Sequence, residues 1–199
     1  MIKEPTEKWM NLGNDTRYFI ITGGRGSGKS FEVTRFLNIL SMEKGHKMLF
    51  TRYSMTSAHL SIIPEFQEKM DLLGIDPYFT VNKTDITNKY SGSEIIFKGI
   101  KTSSGDQTAN LKSLQGTDTW VLDEAEELMS EETFDTINLS IRKKGGQNRV
   151  MLIMNPATKE HWIYKKFFER TGVEPTFTGV HDNVTYIHST YLDNIENLP

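Results

Sequence analysis

Residues 23–30 read G-G-R-G-S-G-K-S, which places Gly23, Gly28, Lys29 and Ser30 at the G-x-x-x-x-G-K-[ST] spacing of a phosphate-binding loop. A backbone that wraps its N–H groups around phosphate oxygens needs a close approach and dihedrals that a Cβ obstructs, hence Gly23, Gly24, Gly26 and Gly28. Arg25 and Ser27 complete the cradle. Lys29 would supply a mobile positive charge for the β and γ phosphates, and the Ser30 hydroxyl would be a Mg2+ ligand at the positive end of a helix dipole. The flanks fit this role. Tyr18-Phe19-Ile20-Ile21 is a short β-prone run before the loop, and Val33, Phe36, Leu37 and Leu40 recur at helical spacing after it.

The remaining sequence bounds the architecture. With 199 residues, 37% of them hydrophobic, the chain has material for the core of one α/β domain, and residues 1–199 are expected to form it. There are no cysteines, which excludes disulfide and thiolate-zinc frameworks. The N-terminus is charged and carries no apolar signal segment, and no apolar run approaches the roughly 20 residues of a membrane span. The expectation is therefore a cytoplasmic protein without a membrane partner. A formal charge of −3 argues against a dedicated nucleic-acid module but leaves room for local basic patches.

Periodicity predicts a strand over 47–52 and a helix with Ile63, Phe66, Met70 and Leu73 on one face, ending near Gly74. A hairpin is predicted over 81–98, turning at 90–94. Further strands are predicted at 120–122, 149–154 and 185–190, and helices at about 130–144 and 156–170. Recurrent βα order implies a mainly parallel sheet with helices on both faces and functional residues at the carboxyl ends of strands.

Trp120-Val121-Leu122-Asp123-Glu124 is an apolar run ending in two acids, the form of a Walker B strand. Asp123 would hold Mg2+, and Glu124 would act as the general base on the attacking water. The bland alternative is an Asp123 that merely caps a following helix. Asn155, after the apolar run 151–154, is either a γ-phosphate sensor or the N-cap of a helix with Pro156 in its first position. Arginines complete the charge stabilisation. Arg25 could act in cis, whereas Arg142 or Arg149 could act in trans across a subunit boundary. Arg142, Lys143 and Lys144 would also suit the last turn of a helix that opens at Ser130.

Taken together, these segments resemble the N-terminal ATPase domain of the large terminase subunits of tailed bacteriophages. The residues that carry the resemblance are G-G-R-G-S-G-K-S-F, the 111–116 segment leading to W-V-L-D-E-A-E-E-L, N-P-A-T-K-E-H-W-I-Y-K-K-F-F, and Ser189-Thr190-Tyr191-Leu192-Asp193-Asn194. The resemblance implies an α/β P-loop NTPase of the additional-strand catalytic-glutamate type that hydrolyses ATP with Mg2+ to drive double-stranded viral DNA into a prohead. It implies Arg25 as the loop arginine, Asn155 in the motif that couples hydrolysis to movement, and an adenine pocket built partly from residues 4–11, where Trp9 could stack on the base. Arg52, at the end of the second predicted strand, is a weaker candidate for the nucleotide pocket. Implied partners are DNA, the small terminase subunit, the portal and further copies of the chain in a ring, in the cytoplasm of an infected bacterium. The family's nuclease domain has no counterpart in these residues, so no nuclease activity is expected of them. Lys98, Lys101, Lys112, Lys165 and Lys166 are candidate DNA contacts.

Competing readings are a helicase or recombination motor, a nucleotide-dependent switch and a small-molecule kinase. The first predicts further nucleic-acid motifs and a second motor domain. A switch would not need Glu124 beside Asp123. A kinase would want an arginine-rich lid, and none stands out.

Overall fold

The structure, a computed structural model, describes residues 6–55, 58–101 and 115–197. A short helix α1 (Glu7–Met10) leads to β1 (Tyr18–Gly23), α2 (Lys29–Leu40), β2 (Lys47–Arg52) and α3 (Ala58–Leu73). Then follow β3 (Phe79–Val81), β4 (Asp85–Asn88), β5 (Glu94–Gly99), β6 (Thr119–Asp123), α4 (Glu131–Asn138) and β7 (Arg149–Met154). α5 (Trp162–Tyr164) runs on as a π-helical turn over Lys165–Glu169, before β8 (Gly179–His181), β9 (Val184–Ser189) and a 3-10 segment at Tyr191–Asn197.

Among the described residues the strands form one nine-stranded sheet in the order β3-β4-β5-β2-β6-β7-β1-β9-β8. From β5 to β9 all pairings are parallel, while β3, β4 and β8 extend the edges antiparallel. Strand alternation divides the core in two. Phe19, Ile21, Met48, Phe50, Val121, Met151 and Ile153 point to the face covered by α1, α2 and α3. Ile20, Leu49, Trp120, Leu122, Val150, Leu152 and Met154 point to the face covered by α4, α5 and the π turn. Both faces of these central strands are buried, as continuous apolar runs in a parallel sheet require. Parallel register then aligns the strand ends: Arg52 faces Asp123, Asp123 faces Ile153, Thr22 faces Met154 and Gly23 faces Ser189.

Two helices are shorter than their sequence pattern predicts. α4 opens as expected, with Ser130 Oγ accepting from the Thr133 N–H at 3.1 Å, but it ends at Asn138 and not at Lys144. Arg17 reaches across to donate to the last helical carbonyl, that of Asn138 (3.0 Å), and to the Ile141 carbonyl in the turn beyond (2.9 Å). Lys143 is drawn to the buried carboxylate of Asp118 at 3.0 Å, so it is not a solvated helix-end lysine. The later helix starts at Trp162 behind an N-cap at His161, whose Nδ1 accepts from the Ile163 N–H at 3.2 Å. Asn155-Pro156 therefore opens no helix.

Candidate nucleotide site

A cavity of about 410 Å3 lies at the carboxyl ends of the central strands. Its walls come from three chain segments, 24–31, 123–126 and 153–155, with Arg52 and Asn194 closing it.

The phosphate loop leaves β1 at Gly23. Gly26 (φ 74°) and Gly28 (φ 81°) adopt left-handed backbone that a side chain would strain. Gly28 is the N-cap of α2 and supplies no side chain, so the first-turn N–H groups are left to an anion. The Lys29 ammonium folds back on the loop, donating to the carbonyls of Gly23 (2.5 Å) and Gly24 (2.9 Å). Burial lowers the Lys29 pKa, and nearby Glu126 and Asp123 work against that shift.

The acid pair sits at the end of β6. Asp123, buried, accepts from Arg52 at 2.7 Å, and the guanidinium stands 3.8 Å from a Glu124 oxygen. Glu124 adopts left-handed backbone (φ 54°), uncommon for a residue with a side chain, and so turns the chain sharply from the strand into a 3-10 turn at Ala125–Glu127. Burial raises the Glu124 pKa. Asp123, Glu127 and Glu126 reinforce the rise, and Arg52 opposes it. A carboxylate in this state holds a proton more readily than a solvated one, which suits a general base.

Asn155, the next residue after β7, donates from Nδ2 to Glu126 Oε1 at 2.7 Å. This bond links the end of β7 to the turn beyond the acid pair, and Asn155 is not a helix cap. The sequence assigns no site role to Glu126 or to Asn194, although Asn194 ends one of the segments that carry the family resemblance. Glu126 was visible only as the third acid of D-E-A-E-E, and Asn194 lies far along the chain from the loop it touches.

Of the predicted site residues, Gly24, Arg25, Gly26, Ser27, Gly28, Lys29, Ser30, Asp123, Glu124 and Asn155 line the cavity, as does Arg52. Gly23 contributes its carbonyl to Lys29. Trp9 is a correction: it is 4% exposed, packs in the core beneath the sheet and does not line the cavity, so no ring face is free for a base. Arg142 is exposed, lies beyond α4 and does not reach this cavity. Arg149 begins β7, at the opposite end of the strand from Asn155. Among the lysines, Lys166 is paired with Glu131 (3.0 Å) and Asp135 (2.8 Å), Lys101 and Lys165 are exposed, and Lys98 is half-buried on β5. Lys112, and residues 4 and 5 of the predicted adenine segment, lie outside the described residues.

The oxygen donors suit a hard divalent cation. Ser30 and Asp123 both border the cavity, and among the described residues no group of three or more His, Cys, Asp or Glu side chains could hold a metal unaided. Mg2+ is characteristically held by one or two protein oxygens together with the phosphates it accompanies.

A phosphate loop after β1, acids at the end of β6 and the strand β7 standing between them define a P-loop NTPase of the additional-strand catalytic-glutamate class. The chain belongs to the phage terminase large-subunit family, whose model matches residues 15–199. It is similar to the large terminase subunit of Bacillus phage SPP1, 27% identical over 188 residues that cover 88% of this chain and 41% of that protein. Its fold matches the large terminase of a thermophilic bacteriophage with a TM-score of 0.74 at 14% identity, covering 97% of this chain and 47% of that one. It also matches the large terminase ATPase domain of Thermus phage P74-26, with a TM-score of 0.61 at 15% identity, covering 94% of this chain and 80% of that one. The chain thus spans under half the length of the SPP1 relative.

Proposed function

We propose that this chain is the ATP-hydrolysing motor of a phage DNA-packaging machine. One observation carries the reading: a phosphate loop bearing Lys29 and a carboxylate of raised pKa at Glu124 open onto the same cavity. Two supports are independent of that geometry. The thermophilic-phage terminase of matching fold has been solved with ATP-γ-S and with ADP, and the family model spans nearly the whole chain.

The residues divide the work. Loop N–H groups and Lys29 bind the β and γ phosphates, the ammonium exchanging the Gly23 and Gly24 carbonyls for phosphate oxygens. Ser30 and Asp123 would hold Mg2+, which neutralises charge on those phosphates when bound. Glu124 accepts a proton from water as the water oxygen attacks the γ-phosphorus. The bond from that phosphorus to the β–γ bridging oxygen breaks, leaving ADP and inorganic phosphate. Arg25, exposed at the cavity rim, adds positive charge in cis. Arg142 is the arginine offered to the site of a neighbouring copy in a ring. Asn155 senses the γ-phosphate and passes its state to the Glu126 turn. Double-stranded viral DNA, the portal and the small terminase subunit are the partners, in the infected host cell.

The test is steady-state ATP hydrolysis across a protein concentration series, with and without double-stranded DNA, for wild type, Lys29→Ala and Glu124→Gln. Turnover abolished by both substitutions and rising more than linearly with protein is the expected result. Turnover that survives Glu124→Gln, or tight binding without turnover at any concentration, overturns the motor reading in favour of a switch.

A further inference from the structure

The Ser189–Asn194 stretch has no part in the chemistry above, yet it touches the phosphate loop at several points. β9 runs parallel to β1 with Ser189 opposite Gly23, so the chain leaves the sheet beside the loop. The buried Ser189 hydroxyl donates to the Ser27 carbonyl at 2.7 Å. Five residues on, Asn194 Nδ2 donates to the Gly26 carbonyl at 2.9 Å, and the Asn194 carboxamide lies 3.5 Å from the point a Cβ on Gly28 would occupy. Two consecutive loop carbonyls are therefore held by donors from one distant segment. Because a trans peptide is planar, with C=O and N–H opposed, fixing the Gly26 and Ser27 carbonyls also fixes where the N–H groups of Ser27 and Gly28 point.

Asn194 is itself placed by its neighbours. Asp193 Oδ2 accepts from the Thr190 N–H at 2.7 Å and from the Thr190 hydroxyl at 3.1 Å, closing a tight turn after β9. Asn194 then departs from helical geometry (φ −127°, ψ 15°), which breaks the 3-10 run at this residue. The other carboxylate oxygen, Asp193 Oδ1, accepts from Lys8 Nζ at 2.8 Å and ties α1 to the same turn.

We propose that Asn194 is a positioning residue for the phosphate loop, that it sets affinity for the polyphosphate of a nucleoside di- or triphosphate, and that the Lys8–Asp193 pair holds it in place. The inference rests on the nucleotide-binding reading of the cavity. It assigns Asn194 to ground-state binding and not to the chemical step, because its contact is with loop backbone.

The experiment measures ADP and ATP-γ-S binding by calorimetry on the whole chain, alongside KM and kcat for ATP. Asn194→Asp keeps the shape, replaces the donor with an acceptor against the Gly26 carbonyl and adds negative charge beside the phosphates. It should weaken both nucleotides at least about tenfold. Asn194→Ala, losing one hydrogen bond, should weaken them about threefold to tenfold. Lys8→Ala should shift Kd in the same direction by less. In all three, KM should rise while kcat at saturation stays within about threefold. Wild-type binding matched by Asn194→Asp overturns this inference alone. A lowered Tm with unchanged Kd also overturns it, since that is a purely structural role. Wild-type protein that binds neither nucleotide overturns the reading of the cavity as well.

Discussion

Arg52 and Asp123 face each other across the β2–β6 pairing and form an ion pair of 2.7 Å on the cavity floor. The Asp123 side chain is 5% exposed, so Arg52 neutralises a carboxylate that few waters reach. Removing Arg52 leaves that charge desolvated and unpaired unless a cation takes over. Arg52→Ala should lose about 1–3 kcal/mol of unfolding free energy in urea without metal. Adding Mg2+ alone should restore more stability to the variant than to wild type. Equal stability of the two proteins in metal-free buffer would show that the pair contributes nothing.

Glu124 should set the acid limb of turnover. A general base must be ionised, and burial holds this carboxyl above its ordinary value of 4.5. Activity should therefore fall with decreasing pH at a midpoint above that of an ordinary glutamate. The same shift has a stability consequence. A carboxyl that binds its proton more tightly when folded destabilises the fold at neutral pH, where it is ionised. Glu124→Gln should thus lower kcat by about 100-fold or more while raising Tm. A Tm at or below wild type would count against the raised pKa.

How much of this site could be read from sequence follows from how local each part is. The phosphate loop and the acid pair are contiguous, and each marks the end of an apolar strand, so residue type and spacing located them. That helices cover both faces of a mainly parallel sheet followed from the recurrent βα order. Trp9 was misplaced because its proximity in sequence says nothing about which way a large ring turns, and here it buries its ring among Leu12 and the core of the sheet. The end of α4 was misjudged because Arg17, distant in sequence, satisfies its last carbonyl, that of Asn138, and Asp118 draws Lys143 away. Asn194 meets Gly26 across a separation of 168 residues, and no local pattern encodes that contact.

Gly23 is constrained by the neighbouring strand. A Cβ there would lie 2.0 Å from the Ser189 carbonyl oxygen, which belongs to β9 and cannot rotate away. Gly24, next in the loop, has nothing within 4 Å of its Cβ position. Gly23→Ala should therefore open the β1–β9 pairing where the loop departs, costing about 1–3 kcal/mol in urea unfolding and most of the ADP affinity. Gly24→Ala should keep wild-type stability. Similar denaturation midpoints for the two variants would remove the packing argument.

At the opposite end of the sheet, the Asp118 carboxylate, 2% exposed, takes His46 Nδ1 at 3.2 Å and Lys143 Nζ at 3.0 Å, with Arg149 and Glu43 close enough to bias the cluster. The hydrogen bond to Asp118 is the main cause that raises the His46 pKa above its ordinary 6.5. Burial pushes the Asp118 carboxyl up, but hydrogen bonds from His46 and Lys143 more than reverse this and leave it below 3.8. The signs define a window. His46, raised on folding, contributes stability that is fully present below its unfolded pKa and is lost as pH rises through the folded one. Asp118, lowered on folding, contributes stability that is present above its unfolded pKa and is lost as pH falls through the folded one. The two overlap between roughly pH 4 and 6.5, so this cluster should stabilise the fold most there. His46→Gln should flatten the alkaline side of a stability-versus-pH curve measured by urea unfolding, and leave the acid side governed by Asp118. A variant curve parallel to wild type above pH 6.5 would show that His46 titrates alike in the folded and unfolded chain.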